Sequence, residues 1–166
     1  NQHEFLMINE DEKYDIAHFE FVMRGLRRAM ERFPDKAADL SLSLHCETAE
    51  IMSAYTKIVE EEGTLKGLAA YSAGRPPHSE GLAIFIASYL ANETDLPNIN
   101  LLHLTSRKAV LAALQMAAVF PHINFRREVT IGHLMLDTDS KAASLAKVNP
   151  PIRPREDVEY LWEQLV

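Results

Sequence analysis

The sequence has a single cysteine, Cys46, so an intramolecular disulfide and any cysteine-based zinc cluster are excluded, and a reducing, cytoplasmic setting fits. No apolar run approaches the ~18 residues needed to cross a membrane, and the first residues do not resemble a signal peptide. Lysine and arginine are never gathered into a run that would grip a phosphate backbone, and the formal charge is −7, so nucleic acid is not an expected partner. A glycine-rich phosphate loop is also missing. The chain's 166 residues, 47% apolar and 25% charged, fit one globular domain with a sizeable core.

Apolar spacing predicts the layout. Ile16, Phe19, Met23, Leu26, Met30 and Phe33 repeat at helical intervals from Tyr14 onward. The strand-length run 40-LSLSLH-45 precedes a helix capped by Thr48 and ended by Gly63. A loop with Gly67, Gly74 and Pro76-Pro77 is expected next, then a helix with Ser79 as N-cap. Strand 99-INLLHL-104, a helix opened by Ser106, strand 124-NFRREVT-130 and a short apolar piece, 133-HLML-136, follow. A fourth extended piece, 145-LAKVN-149, leads through Pro150-Pro151 to a last helix near Pro154. Strands alternating with helices imply βαβ crossovers and a parallel sheet: one α/β unit over 1–166, with about four strands.

Two of those strands end alike. LSLH places His45, and NLLH places His103, at the carboxyl end of an apolar strand just ahead of a helix. Ligands of parallel α/β sheets bind at that edge. Two imidazoles there are suited to share a divalent metal, zinc in particular; the plainer alternative is a pair of histidines bonded to nearby loops. Glu47 reads as an acid/base group, as an outer-shell partner of a metal-binding histidine or, more simply, as an acid placed to favour a helix start. Cys46 reads as a small buried hydrophobe rather than a nucleophile. Glu128, near a strand end, is placed to orient a metal-bound histidine or to pair with Arg126 or Arg127, and His133 to line the same rim. Asn149, ahead of a rigid Pro-Pro, is able to donate to and accept from an amide edge, although a plain turn explains it as well. His3, His18, His78 and His122 read as structural or solvent-facing.

Taken together, LSLHCE (42–47), GRPPHSEGLAI (74–84), INLLHLTS (99–106), REVTIGHLMLD (127–137) and KVNPPIRPREDVEYLW (147–162) resemble the cyclic amidohydrolases: dihydroorotase, dihydropyrimidinase (hydantoinase) and allantoinase. The EVTxxHLML stretch and the Asn of KVNPPIR are most similar to dihydroorotase. The resemblance implies the second half of a metal-dependent (β/α)8 barrel, a zinc pair, and a small cyclic amide substrate. It implies that His45 and His103 bind the second zinc, that Asn149 lies beside the substrate, and that Arg75 with Pro76-Pro77 is a structural loop.

Departures from the family pattern are equally specific. The first-strand His-x-His pair and the metal-bridging residue are absent, and the family's catalytic Asp would fall beyond Val166, so no catalytic residue is assigned in this chain. Ile131-Gly132 replaces a common Pro-His. The opening, Asn1 to Ile8, lacks an initiator Met and reads as a chain entered mid-fold. A half barrel with open strand edges and an apolar interior is expected to self-associate or to pair with the missing half. A catalytically incomplete segment with an assembly role, or a hydantoinase- or allantoinase-like hydrolase, are the alternatives.

Overall fold

In a computed structural model, residues 16–165 are described. The readings placed on Asn1 to Ile8, on His3 and on Tyr14 lie outside them. Helix α1 (Ile16–Arg32) buries Phe19, Met23 and Met30, which stand on its apolar stripe. A 3-10 turn (Pro34–Asp39) leads to β1 (Leu42–Leu44). Then come α2 (Ala49–Glu62), α3 (Gly67–Ala73), α4 (Pro77–Glu93), β2 (Asn98–Leu101) and α5 (Arg107–Val119). Strand β3 (Asn124–Arg127), α6 (Ile131–Met135), a second 3-10 turn (Ala143–Ala146) and α7 (Arg155–Leu165) complete the order.

The three strands form a parallel sheet in the order β1-β2-β3, with Leu44 beside Leu101 and Leu101 beside Arg127. This is part of an α/β barrel, with three strands among the described residues where about four were expected. The segment 145-LAKVN-149 is not a strand: its first residues finish a 3-10 turn, and Leu145 is 91% exposed, so neither the pairing nor the burial of a strand is present. Two further boundaries differ. Gly67 to Ala73 is a helix where a loop was expected. Pro76, not Ser79, is the N-cap of α4, because Pro77 already has the φ of a first helical residue. Ser106 does cap α5, its hydroxyl accepting from the Ala109 amide at 3.2 Å.

Side-chain alternation gives the sheet two unlike faces. Leu44, Ile99, Leu101 and Phe125 face the helices and join a core with Ile84, Ala87, Ala109 and Leu161. Ser43, Asn98, Asn100, Asn124 and Arg126 share the other face by register. There Asn100 donates to Ser43 Oγ at 3.3 Å and Asn124 to Asn98 Oδ1 at 3.2 Å. The apolar interior expected of an open half barrel is therefore corrected: the uncovered face of these strands is polar, and Asn100 with Ser43 and Asn124 with Asn98 pair across it.

Candidate active site

His45 follows β1 and keeps the parity of Ser43, which directs it to the open face. His103 should by the same rule join Leu101 on the covered face. Its φ of 36° breaks the alternation. Non-glycine residues rarely adopt that backbone, and strain of this kind collects at functional positions. As a result His45 Nδ1 and His103 Nε2 meet at 3.0 Å, with the ring centroids 4.7 Å apart.

Glu47 fixes the other side of His45. The His45 Nε2 to Glu47 Oε2 distance is 2.8 Å, and the carboxylate is fully buried. A proton on Nε2 directed at this carboxylate leaves Nδ1 as a lone pair aimed at His103. The helix-start reading of Glu47 does not hold: it precedes the N-cap Thr48, and the acid in the first turn of α2 is Glu50. Arg75 Nη1 donates to the same Oε2 at 3.0 Å. The sequence places Arg75 in a structural loop, and no periodicity links it to Glu47.

Burial, and then the neighbouring His45, lower the pKa of His103 to about 4, so it is neutral near pH 7. Its Nδ1 is buried without a hydrogen-bond partner, as is Glu47 Oε1. A neutral imidazole facing a second lone pair at 3.0 Å, with a carboxylate behind that second ring, is a donor set that fits a divalent cation. It is a partial set. Among the described residues no group of three or more His, Cys, Asp or Glu side chains is placed to hold a metal.

His133 is buried, with Nδ1 2.7 Å from Thr130 Oγ1 and Nε2 3.0 Å from Pro150 O. Burial lowers its pKa as well. Both ring nitrogens are thus occupied, and His133 braces the Pro150 loop rather than meeting the histidine pair. Glu128 is exposed; its backbone bonds Leu101 and Leu104, and its side chain makes no ion pair with Arg126 or Arg127. Cys46 is buried, which pushes its thiol pKa up and suits packing.

Asn149 accepts a hydrogen bond from Tyr71 through Oδ1. Tyr71 has the Arg75 guanidinium 5.2 Å and the Lys147 ammonium 4.8 Å from its ring centre. Tyr71, Arg75 and Lys147 line one groove of about 540 Å³ between α2 and α3. Behind it, Arg153 is buried and donates to Thr105 Oγ1 at 2.9 Å, to Glu80, and to the Arg75 carbonyl. Burial raises the Glu80 carboxyl, while Arg153 and Thr105 oppose that rise.

No protein-family model matches the chain. It is 33% identical to the dihydroorotase of Pyrococcus abyssi over 131 residues, 78% of this chain and 27% of that protein. It is 38% identical to the allantoinase of Rubrobacter xylanophilus over 99 residues, 58% of this chain and 21% of that protein. Among solved structures, L-hydantoinase (dihydropyrimidinase) from Arthrobacter aurescens aligns over 99% of this chain and 34% of its own, with a TM-score of 0.74 at 22% identity. D-Hydantoinase (dihydropyrimidinase) from Thermus sp. aligns over 92% of this chain and 31% of its own, with a TM-score of 0.72 at 20% identity. The chain spans about a quarter of the length of those two curated relatives. By sequence and by its partial barrel, the chain belongs to the cyclic amidohydrolase family.

Proposed function

We propose that this chain supplies the two-histidine part of a zinc site in a cytoplasmic hydrolase of cyclic amides. Its substrate is dihydroorotate, opened reversibly to N-carbamoyl aspartate. The observation that carries the reading is the 3.0 Å approach of His45 Nδ1 to His103 Nε2 at the carboxyl ends of adjacent parallel strands. A bound metal supplies Lewis acidity toward the ring carbonyl and a more acidic water. Overall, water adds across one ring C–N bond: the carbon gains oxygen and the nitrogen leaves with a proton.

The chain's own residues bind and orient. His45 and His103 hold the cation, Glu47 sets the His45 tautomer, and Asn149 offers its amide to the ring's N–H and C=O edge. Lys147, 4.8 Å from the Tyr71 ring centre beside Asn149, gives that rim a positive charge, while the Arg75 charge is already paired with Glu47. A carboxylate-bearing ring such as dihydroorotate suits it better than hydantoin or allantoin, which carry none. The remaining metal donors belong to the rest of the barrel, or to a second copy that completes the site.

A second reading, a catalytically incomplete segment with an assembly role, is favoured by the donor count, because a mononuclear site ordinarily uses three protein ligands. Metal analysis of the purified chain, with His45→Ala and His103→Ala as controls, separates the two. Zinc lost in both variants, together with turnover of dihydroorotate in preference to hydantoin and allantoin, supports the enzyme. Metal-free protein with no ring opening supports the assembly role.

A further inference from the structure

One oxygen of Glu47 receives two donors. His45 Nε2 lies 2.8 Å and Arg75 Nη1 3.0 Å from Oε2. The other oxygen is buried without a partner, so the carboxylate's orientation rests on these two contacts. A carboxylate on a single histidine contact is able to rotate about its side-chain torsions; a second, charged donor on the same oxygen removes that freedom.

Arg75 is itself gripped. Its carbonyl accepts from buried Arg153, and the Gly74 carbonyl accepts from Thr56 Oγ1 at 3.3 Å. Its Nη1 also reaches Met52 Sδ at 3.3 Å, and Tyr71 covers the guanidinium. Gly74 permits this approach: a Cβ there would lie 3.2 Å from the Thr56 backbone. The segment Gly74-Arg75-Pro76-Pro77 thus does more than turn the chain into α4. It delivers one guanidinium to one buried carboxylate.

We infer that Arg75 is a positioning residue for His45: it locks the Glu47 carboxylate, which holds the His45 proton on Nε2 and turns Nδ1 toward His103. The inference deepens the metal-site reading above and rests on it only for the consequence in metal affinity. Arg75 touches neither substrate nor the paired nitrogens. It acts through Glu47.

The experiment is NMR of the full chain with 15N-labelled histidine, assigned by His45→Ala. Wild type is expected to show His45 as the Nε2–H tautomer with a protected imidazole N–H signal. Arg75→Ala is expected to lose that protection and mix the tautomers, and Arg75→Lys to restore most of it. The Trp162 indole signal and far-UV dichroism report folding; if Arg75→Ala fails to fold, Arg75→Met, which keeps the bulk without a donor, takes its place. In parallel, Co(II) titration is expected to show about 10- to 100-fold weaker binding in Arg75→Ala, the range seen when an outer partner of a metal-binding histidine is lost. A folded Arg75→Ala or Arg75→Met variant with an unchanged His45 tautomer and N–H protection overturns the inference. Should wild type bind no Co(II), the metal reading falls, while the tautomer comparison still decides the role of Arg75.

Discussion

His103 Nε2 reaches His45 Nδ1 only because the His103 backbone sits at a φ of 36°, outside the region its own strand occupies. The left-handed conformation costs an ordinary residue about 1–2 kcal/mol, and glycine almost nothing. His103→Gly should therefore be more stable than His103→Ala by about 1 kcal/mol, the reverse of the order on an extended strand. Urea unfolding of the two variants measures it. An alanine variant equal to or more stable than the glycine one removes backbone strain as a feature of this site.

A dependence on pH follows from the same residue. Its folded pKa of about 4 lies below the ordinary 6.5, chiefly through burial. The unfolded chain then binds a proton more readily than the folded one. Stability is full above about pH 6.5 and is lost as the pH falls toward 4. His133, lowered in the same direction, adds to the loss. With allowance for partial solvent screening, roughly 1–2 kcal/mol should disappear between pH 7 and pH 5. His103→Ala should flatten the profile; an equally steep profile in that variant assigns the dependence elsewhere.

How far these features are legible in the sequence follows from how local they are. The apolar periods of α1, the Ser106 cap and the His-terminated strands are written in neighbouring residues, and the structure contains all of them. Helix α3 is hidden because its seven residues begin at Gly67 and stop before Gly74, glycines that punctuate like a loop. The stretch 145-LAKVN-149 has the length of a strand but no partner strand, and the pattern alone cannot supply one. The tie of Arg75 to Glu47 spans 28 residues and depends on where α3 delivers the chain. His103 shows the limit most clearly: its position at a strand end is readable, while the φ that turns it toward His45 is a property of the folded loop.

Glu80 and Arg153 form an ion pair with side chains almost completely out of solvent. Removing one member of such a pair leaves a buried charge unmatched and costs about 3–5 kcal/mol. Glu80→Leu should be destabilised by that amount, and Glu80→Leu with Arg153→Met by less than Glu80→Leu alone. The recovery is incomplete, because the Arg75 carbonyl and the Thr105 hydroxyl lose the donor that Arg153 gave them. Chemical denaturation of both variants checks the order. A double variant no more stable than the single one shows that these hydrogen bonds, not the charge pairing, dominate.

Gly74 lets α2 and the Arg75 loop touch because it has no side chain to hold them apart. A Cβ at this position would lie 3.1 Å from the Thr56 hydroxyl oxygen and 3.2 Å from the Thr56 backbone. A rotamer change relieves the crowding at the hydroxyl, but the crowding at the backbone is relieved only if α2 moves. Gly74→Ala should cost about 1–3 kcal/mol, the range for overpacking a well-filled site. Adding Thr56→Ala should recover only part of it. Gly132 in α6 is the control: a Cβ there meets nothing nearer than Thr130 Oγ1 at 3.8 Å, and its φ is not in the left-handed region. Gly132→Ala should be neutral or stabilising by up to about 1 kcal/mol. Thermal or urea unfolding of the two alanine variants reads the contrast directly. Equal effects would mean that the close approach at Thr56 does not set the path of the loop, and the delivery of Arg75 to Glu47 would need another cause.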